Sequence, residues 1–332
     1  MEIQLQANNK ITHSADKYRI FMIQPLSQLY RQLELNPDES IDTETAFRFK
    51  AHPDFIAQIE RGNAEDPLLK QILPVKDELI SHPDFKLDPV GDLQSNPTPS
   101  LIHKYDGRVL LMASPKCDIH CRYCFRRHFP YENQINQRHW QVALEQISND
   151  ESIHEVILSG GDPFSLAENA LMALIEKIER IPHIRALRIH TRTPIVAPSK
   201  APQGNFLKWA KSSRLQKVMV VHCNHPNELS DKTAELMTAY RQSGFHLLNQ
   251  SVLLKGVNDC NDTLIELSHK LFSQGILPYY LHQLDRVQGA AHFEVDDATA
   301  QTLRKTLLER LPGYLVPKLV QEIAGQPHKT PL

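Results

Sequence analysis

The chain has 332 residues, of which 41% are hydrophobic and 23% are charged, and its formal net charge is −2. This composition is typical of a globular protein with one large core or two domains, and a charge so close to zero gives no electrostatic reason to expect nucleic acid or an anionic membrane as a partner. There is no apolar run of the ~20 residues that a membrane span needs, the first residues lack the apolar segment of a signal peptide, and five cysteines favour a reducing compartment, so we expect a cytoplasmic protein.

Residues 1–100 form a polar region that is interrupted by prolines. Short amphipathic pieces at Pro25–Leu33 and Pro53–Ile59 predict helices there. The stretch Asp88–Pro99, DPVGDLQSNPTP, is typical of a loop and indicates a boundary. We therefore predict a mostly helical N-terminal region over residues 1–100 and a second domain over residues 101–332.

From Val109 onwards, short apolar runs alternate with helical patterns. The helical patterns repeat leucine or isoleucine at the i, i+3, i+4, i+7 spacing, as in residues 171–178. Strands that alternate with helices indicate right-handed βαβ units and a parallel sheet. Six units predict an α/β fold with a partial (β/α)6 barrel, and a doubly wound open sheet is the alternative that the pattern leaves open. The apolar runs are Val109–Met112, Val156–Leu158, Leu187–Ile189, Val218–Val221, His246–Leu254 and Ile276–Leu281.

Three cysteines, Cys117, Cys121 and Cys124, follow the first apolar run. Their C-x3-C-x2-C spacing brings three thiolates together on one loop, which can hold three irons of a [4Fe–4S] cluster and leave the fourth open to an exogenous molecule. Zinc is the first alternative, and since it favours four protein ligands it would need His120 or His128 as well. Cysteines without a metal are the second alternative.

Polar motifs follow the remaining apolar runs. In both candidate architectures, functional groups lie at the carboxyl ends of parallel strands, so we expect these motifs to face one cavity. The two glycines after the second run allow the backbone to approach a ligand closely, although an ordinary strand-to-helix turn explains them equally well. The motifs are SGGDP at Ser159–Pro163, HTRTP at His190–Pro194, HCNHPNE at His222–Glu228, Gln250 within the fifth run and HQLD at His282–Asp285.

The cysteine motif, with Tyr123 before its last cysteine, resembles the radical S-adenosylmethionine superfamily. The continuation Arg126–Arg127 is similar to the lysine 2,3-aminomutase branch, and the likeness extends from about Phe47 to the end of the chain. The resemblance implies a partial barrel, a [4Fe–4S] cluster on the three cysteines, S-adenosylmethionine and pyridoxal 5′-phosphate. The implied reaction converts (S)-α-lysine to (R)-β-lysine through a 5′-deoxyadenosyl radical.

The resemblance also implies ligands for the two organic cofactors. Lys329, in the segment AGQPHKTPL, would carry pyridoxal phosphate, although residues 325–328 replace the family's glycine-rich loop. Tyr105 and Arg108 would bind its phosphate, together with Lys104 where the family often has arginine. Considered alone, each of these would be an ordinary structural or surface residue. The residues implied for S-adenosylmethionine are Ser159, Gly160, Gly161, Asp162, His222, Gln250 and, more weakly, Arg192.

Three residues match the family's ligands for the amino-acid substrate. Arg126 would hold the α-carboxylate of L-lysine, a group that suits the arginine fork. Asp285 and Glu322 match a pair of aspartates that bind the ε-ammonium group. Glu322 departs from that pattern by one methylene.

The end of the sequence at Leu332, without the cysteine-bearing segment of the catabolic members, resembles the aminomutases that supply β-lysine for elongation factor P. A synthetase-like ligase would attach that β-lysine, and a flavodoxin or ferredoxin would reduce the cluster. Three alternatives stay open: a catabolic lysine aminomutase, a radical S-adenosylmethionine enzyme without pyridoxal phosphate, and a non-enzymatic metal-binding module.

Overall fold

The computed structural model describes residues 26–36 and 47–332, and residues 1–25 and 37–46 of the predicted N-terminal region lie outside it. The first predicted amphipathic piece contains α1 (Leu26–Gln32), with Pro25 outside the described residues. The second contains α2 (Pro53–Ile56), which is followed by α3 (Pro67–Lys70). Both begin at a proline, whose missing N–H costs nothing at the first position of a helix. The described part of this region therefore consists of short helices joined by irregular chain.

Within the described residues, nine strands form one sheet, and strands that are consecutive in the chain are neighbours in the sheet. They are β1 (Leu101–Tyr105), β2 (Arg108–Ser114), β3 (Glu155–Gly160), β4 (Ala186–Thr191), β5 (Gln216–His222), β6 (Phe245–Val252), β7 (Leu277–His282), β8 (Lys318–Gln321) and β9 (Thr330–Pro331). Strands β2 to β8 are parallel, and β1 and β9 add antiparallel edges. The order contains no reversal of the kind that defines a doubly wound sheet. The predicted partial barrel is therefore confirmed, and in the described chain its two edge strands do not pair with each other.

Helices connect the parallel strands. They are α4 (Tyr131–Gln134), α5 (Gln137–Asn149), α6 (Glu168–Glu179), α7 (Thr193–Val196), α8 (Gly204–Ser212), α9 (Asp231–Gln242), α10 (Asn261–Ser273) and α11 (Asp297–Arg310). The predicted buried face of α6 is confirmed, because Leu171, Leu174, Ile175 and Ile178 are all buried. No helix in the described ranges is both long enough and apolar enough to cross a membrane.

The two faces of the strands have different roles, as the two-residue period of a strand requires. In β4, Leu187 and Ile189 are fully buried in the main hydrophobic core with residues of the surrounding helices. Arg188 and His190, which alternate with them, line the cavity inside the partial barrel. This alternation separates an apolar layer beneath the helices from a polar interior.

The C-terminal residues are part of the sheet. Strand β9 pairs with β8 through Val320 and Pro331 and through Gln321 and Thr330, and the Leu332 N–H donates to the Leu319 carbonyl oxygen at 3.1 Å. The pairing places Lys329, the residue before β9, beside the cavity. The sheet itself thus orients a lysine that otherwise stands three residues from the end of the sequence.

Candidate active site

One cavity of about 640 Å³ lies inside the partial barrel. Its wall contains every residue that the sequence analysis assigned to the cluster, the two organic cofactors and the substrate. The parallel strands β3 to β7 contribute residues near their carboxyl ends, as expected for an α/β barrel, whereas β2 contributes Arg108, Val109 and Leu110 from its amino end. Residues from β1, from the segment after β8 and from the loop before β1 complete the wall.

The cysteine loop connects β2 to α4. The Cys124 N–H donates to the Cys121 carbonyl oxygen at 3.0 Å, and the Arg122 N–H donates to the Gln71 carbonyl oxygen at 2.9 Å. All five cysteines of the chain are described and none is in a disulfide. Cys117, Cys121 and Cys124 line the cavity.

The donor set fits an iron–sulfur cluster. Burial raises the pKa of the Cys117 thiol well above its usual value and that of Cys124 to about 11, so the fold alone does not favour their thiolates. Bound iron would supply the missing positive charge, because a metal deprotonates the thiols that ligate it. No three His, Cys, Asp or Glu side chains in the described ranges are arranged to hold a single metal ion. In a cluster, each cysteine binds a different iron.

An ion-pair network anchors the cysteine loop to the N-terminal region. The fully buried Arg122 donates through Nε to Glu78 Oε1 at 2.7 Å and through Nη2 to Glu78 Oε2 at 2.5 Å. Arg127 Nη2 donates to the same Oε2 at 2.6 Å, and both guanidinium groups lie over the Phe47 ring. Burial alone would raise the pKa of Glu78, but the two arginines outweigh it and hold that pKa below its usual value. The sequence analysis assigned no role to Glu78, which no local pattern marks.

The two glycines of SGGDP are required by a close contact with the cysteine loop. Gly160 has φ +116°, and a Cβ at this position would lie 2.7 Å from the Ser114 carbonyl oxygen. A Cβ at Gly161 would lie 2.5 Å from the Lys116 carbonyl oxygen. The Gly161 N–H donates to Ser114 and the N–H of Asp162 donates to Lys116, both at 2.7 Å. The glycines therefore pack the end of β3 against the loop that carries the cysteines.

Asp162 has a structural role in addition to its place in the cavity wall. Oδ1 accepts from the Thr191 hydroxyl at 2.7 Å and from the Phe164 N–H at 2.9 Å. Oδ2 accepts from the N–H groups of Arg192 and Thr193 at 2.7 and 2.9 Å. The three bonds from Thr191, Arg192 and Thr193 connect the end of β3 to the end of β4.

The other residues predicted to bind S-adenosylmethionine lie on β5, on β6 and after β4. His222 is hydrogen-bonded through Nε2 to the Tyr123 hydroxyl at 3.0 Å, and burial lowers its pKa well below the usual value, so it is neutral. Gln250 lines the same cavity. Arg192 donates to Cys121 Sγ at 2.6 Å and to Glu228 Oε2 at 2.8 Å. Arg192 thus connects the cysteine loop to a buried carboxylate.

The residues predicted to bind pyridoxal phosphate converge on Glu322. Lys329 Nζ donates to Glu322 Oε2 at 2.5 Å, and the Tyr105 hydroxyl donates to Glu322 Oε1 at 2.6 Å. Lys104 Nζ lies 3.7 Å from Oε1. Burial, followed by the bond to Glu322, raises the pKa of Tyr105, so its hydroxyl keeps its proton. Arg108 lies with its guanidinium carbon 4.6 Å from the centre of the Tyr105 ring.

Arg126 and Lys104 share a carboxylate that the sequence analysis missed. Asp92, buried in the loop before β1, accepts from Arg126 Nε at 2.7 Å and lies 2.7 Å from Lys104 Nζ. Arg126 Nη1 also donates to Ser159 Oγ at 3.3 Å. Two cations around one anion leave a net positive charge, which suits an incoming carboxylate or phosphate. Asp92 lies within the predicted boundary stretch, where its sequence neighbours give no sign of the contact.

Asp285 and two histidines form the remaining polar wall of the cavity. Asp285 Oδ1 is buried without a hydrogen-bond partner among the described residues, and burial raises the pKa of this carboxyl to about 7. His190 Nε2 is likewise buried and unpartnered in the described structure. Burial lowers the pKa of both His190 and His282, so both are neutral. Buried polar atoms are normally hydrogen-bonded, so these atoms mark places where a ligand would bind.

The chain is similar to several known proteins. Residues 106–192 match a family model described as a 4Fe-4S single cluster domain. The L-lysine 2,3-aminomutase of Escherichia coli is 46% identical over 92% of this chain and 90% of its own length, and that of Haemophilus influenzae is 48% identical over 88% and 87%. The L-lysine 2,3-aminomutase of Clostridium subterminale is 31% identical over 93% of this chain and 75% of its own length. A radical SAM methyltransferase from Sphaerobacter thermophilus has a TM-score of 0.47 and 15% identity, over 68% of this chain and 72% of its own. At these identities and coverages, the chain belongs to the lysine 2,3-aminomutase family of isomerases.

Proposed function

We propose that this protein is an L-lysine 2,3-aminomutase that converts (S)-α-lysine to (R)-β-lysine. The observation that carries the proposal is the composition of the one cavity: the cluster cysteines, Lys329, Arg126 and Asp285 all line it. An enzyme that needed only S-adenosylmethionine would have no use for an oriented lysine in the same cavity as the cysteines. The membership of the aminomutase family supports the same reaction.

In this proposal, the cavity binds lysine by its two charged ends. Arg126 holds the α-carboxylate, because its Nε is fixed by Asp92 and its side chain lines the cavity. Asp285 binds the ε-ammonium through the carboxylate oxygen that has no partner in the described structure. Two fixed ends orient the carbon chain between them, and such orientation lowers the barrier to a rearrangement.

The remaining residues hold the cofactors and exclude water. When bound, the cluster with S-adenosylmethionine supplies the 5′-deoxyadenosyl radical, and pyridoxal phosphate supplies the π system that carries the migrating nitrogen. Lys329 provides the amine for pyridoxal phosphate, and Tyr105, Arg108 and Lys104 bind its phosphate. The strand ends that carry Ser159, Gly160, Gly161, Asp162, His222, Gln250 and Arg192 form the S-adenosylmethionine side.

An anaerobic assay tests the proposal. The reconstituted protein, with reductant, S-adenosylmethionine and pyridoxal phosphate, should convert free L-lysine to (R)-β-lysine. An absorbance spectrum tests the alternative without pyridoxal phosphate: cluster absorbance together with a bound pyridoxal phosphate band supports the aminomutase, and cluster absorbance alone supports the alternative. A fully reconstituted protein that yields no β-lysine would contradict the proposed reaction.

We further propose that the product is destined for elongation factor P. The buried Arg126 suits a free α-carboxylate, which a protein-bound lysine does not have, so the proposal places isomerisation before attachment by a synthetase-like ligase. A flavodoxin or ferredoxin would supply the electron, and five free cysteines suit the reducing cytoplasm. This part of the proposal otherwise rests on resemblance. Mass spectrometry of elongation factor P, from cells with and without the gene that encodes this protein, tests this second proposal.

A further inference from the structure

We propose that a basic face beside the cysteine loop is the docking surface for an acidic electron-carrier protein of the flavodoxin or ferredoxin class. This basic face consists of Arg48, Lys50, Lys116 and Lys200. The inference rests on the proposed function and deepens it, because the proposed reaction needs an electron for the cluster. It assigns to these four cations the place where the electron arrives.

The basic face is bonded directly to the cysteine loop. Lys50 Nζ donates to the Cys117 carbonyl oxygen at 2.5 Å, and the Lys50 carbonyl oxygen accepts from the His120 N–H at 2.8 Å. His120 Nδ1 lies 2.7 Å from the Arg48 carbonyl oxygen, and Lys116 directly precedes Cys117 in the chain. A carrier that docks on this face is therefore separated from the first cluster cysteine by a single layer of residues.

Less polar side chains lie among these cations. The Phe47 ring stacks on His120 with 4.9 Å between the ring centres, and both side chains are half-buried. Pro115, the neighbour of Lys116, is exposed. Phe47, Pro115 and His120 also belong to the wall of the cavity that holds the three cysteines. A less polar centre with charged residues around it is the usual arrangement of a protein–protein interface.

The positive charge of the basic face is only partly compensated. Asp118, which lies among the cations, is buried and paired with Lys200. Arg48 and Lys116 are exposed, and neither forms an ion pair within the described residues. Lys116 and Lys200 both lie close enough to Lys50 to repel its charge. An acidic partner would relieve this repulsion and would be steered towards the face.

An electron carrier is the partner whose chemistry fits this position. One electron passes from the reduced carrier to the oxidised cluster, so the carrier is oxidised, the cluster is reduced, and no bond forms or breaks. Electron-transfer complexes bury little surface, and charge complementarity sets their rate of association, so a few cations are enough to form one. Nucleic acid or an anionic membrane would need a more extended positive surface, and the net charge of the chain is −2.

The experiment measures reduction of the cluster rather than turnover. Reconstituted protein is mixed anaerobically with reduced flavodoxin at several salt concentrations, and the reduced cluster is followed by freeze-quench electron paramagnetic resonance. For the double variant Arg48→Glu with Lys116→Glu, we expect the second-order rate constant at low salt to fall about tenfold or more, with a weaker dependence on salt. Photoreduction with 5-deazariboflavin, a small neutral reductant, should proceed as in the wild type.

A matched control reverses two charges elsewhere. Lys177→Glu with Arg180→Glu changes two exposed cations where α6 ends, at the amino ends of the strands and away from the cysteine loop. This control should be reduced by flavodoxin at the wild-type rate. Arg48→Gln with Lys116→Gln gives the same comparison with a smaller change in charge if the reversal variant does not fold.

Three results would overturn the inference. The first is an unchanged flavodoxin rate in both variants of the basic face. The second is an equal fall with flavodoxin and 5-deazariboflavin, because the cations would then act on the cluster itself. The third is an unchanged flavodoxin rate together with lost binding to phosphatidylglycerol vesicles, which would assign the face to a membrane. If protein reduced by 5-deazariboflavin forms no β-lysine, the proposed function is contradicted, and the rates of cluster reduction still decide the docking face.

Discussion

At the scale of single residues, Asp285 gives a pH dependence whose sign can be worked out. Burial raises its pKa to about 7, so near pH 6 the carboxyl is protonated, whereas the ε-ammonium of lysine stays charged up to about pH 10. The ion pair therefore forms only as the pH rises through about 7. The same raised pKa lowers the free energy of unfolding as the pH rises from about 4 to about 7. Over this range the Asp285 carboxyl is ionised in the unfolded chain but still protonated in the folded protein.

We predict that KM for lysine falls as the pH is raised from about 6 to 8. Below the pKa of Asp285, the decrease in KM is up to about tenfold per pH unit. The charged groups that act on Asp285 are Lys329, Glu322, Asp92 and Lys104. Asp285→Asn, which is nearly isosteric, should raise KM at pH 8 by about a hundredfold and remove this pH dependence. Steady-state kinetics at several pH values measure both effects. An unchanged pH profile in the variant would assign the titration to another group.

A second prediction at this scale concerns the cysteines. Replacing Cys117, Cys121 or Cys124 with alanine should remove the cluster absorbance and the cleavage of S-adenosylmethionine, because each thiolate would ligate a different iron. Cys223 is buried in the core and Cys260 is exposed, away from the cavity wall, so alanine at either position should leave iron content unchanged. Iron and sulfide analysis of the purified variants is the measurement. Full iron content in a Cys121→Ala protein would refute the cluster assignment.

Single residues also mark the limit of sequence reasoning. The three cluster cysteines lie within eight residues of the chain, so their spacing alone predicts that they bind a cluster. Asp92 precedes Arg126 by 34 positions and contacts it only because the loop before β1 folds over the cysteine loop. The glycines of SGGDP were correctly placed at a strand end. The sequence does not show that they pack against the carbonyl oxygens of Ser114 and Lys116, so it left open whether the glycines make room for a ligand or for the neighbouring backbone.

At the scale of elements, the parallel strands β2 to β7 were predictable and the antiparallel edges were not. Each predicted apolar run overlaps one of the strands β2 to β7, because strands covered on one face by helices carry regular apolar residues. Strand β9 has two residues, one of them proline, which is too short for any periodic signal. It forms because Leu332 packs against the core cluster of α11 and β8. The position of Lys329 therefore depends on an element that only the folded sheet defines.

This dependence gives a prediction for β9. Leu332→Asp should release the end of the sheet, since a charge cannot replace a half-buried leucine against an apolar cluster. We expect the affinity for pyridoxal phosphate to fall about tenfold, or ~1.4 kcal/mol, because Lys329 loses its fixed position. The cluster content should not change, because the cysteine loop follows β2. Spectroscopic titration with pyridoxal phosphate measures the effect, and wild-type affinity in the variant would mean that β9 does not orient Lys329.

At the scale of the whole molecule, the N-terminal region and the partial barrel share one core. Leu29, Phe55 and Leu68 belong to the same buried cluster as Val156 and Leu187 of the sheet. The domain division at residue 100 remains a prediction. Because apolar contacts cross that position, we expect the two parts to unfold together, in one transition.

Glu78 allows this coupling to be measured, because it joins the N-terminal region to Arg122 and Arg127 of the cysteine loop. Glu78→Ala leaves two buried guanidinium groups without their carboxylate, which typically costs ~3–5 kcal/mol. The matched control Glu65→Ala removes an exposed ion pair with Lys70, which is worth only ~0–1 kcal/mol. The cluster-containing protein is unfolded anaerobically in urea. We expect Glu78→Ala to lower the urea concentration at the midpoint of unfolding much more than Glu65→Ala does. We also expect the Glu78→Ala protein to lose its cluster absorbance in the same transition as its secondary structure. Equal midpoints for the two variants, or cluster loss well before unfolding, would show that the N-terminal region does not support the cysteine loop.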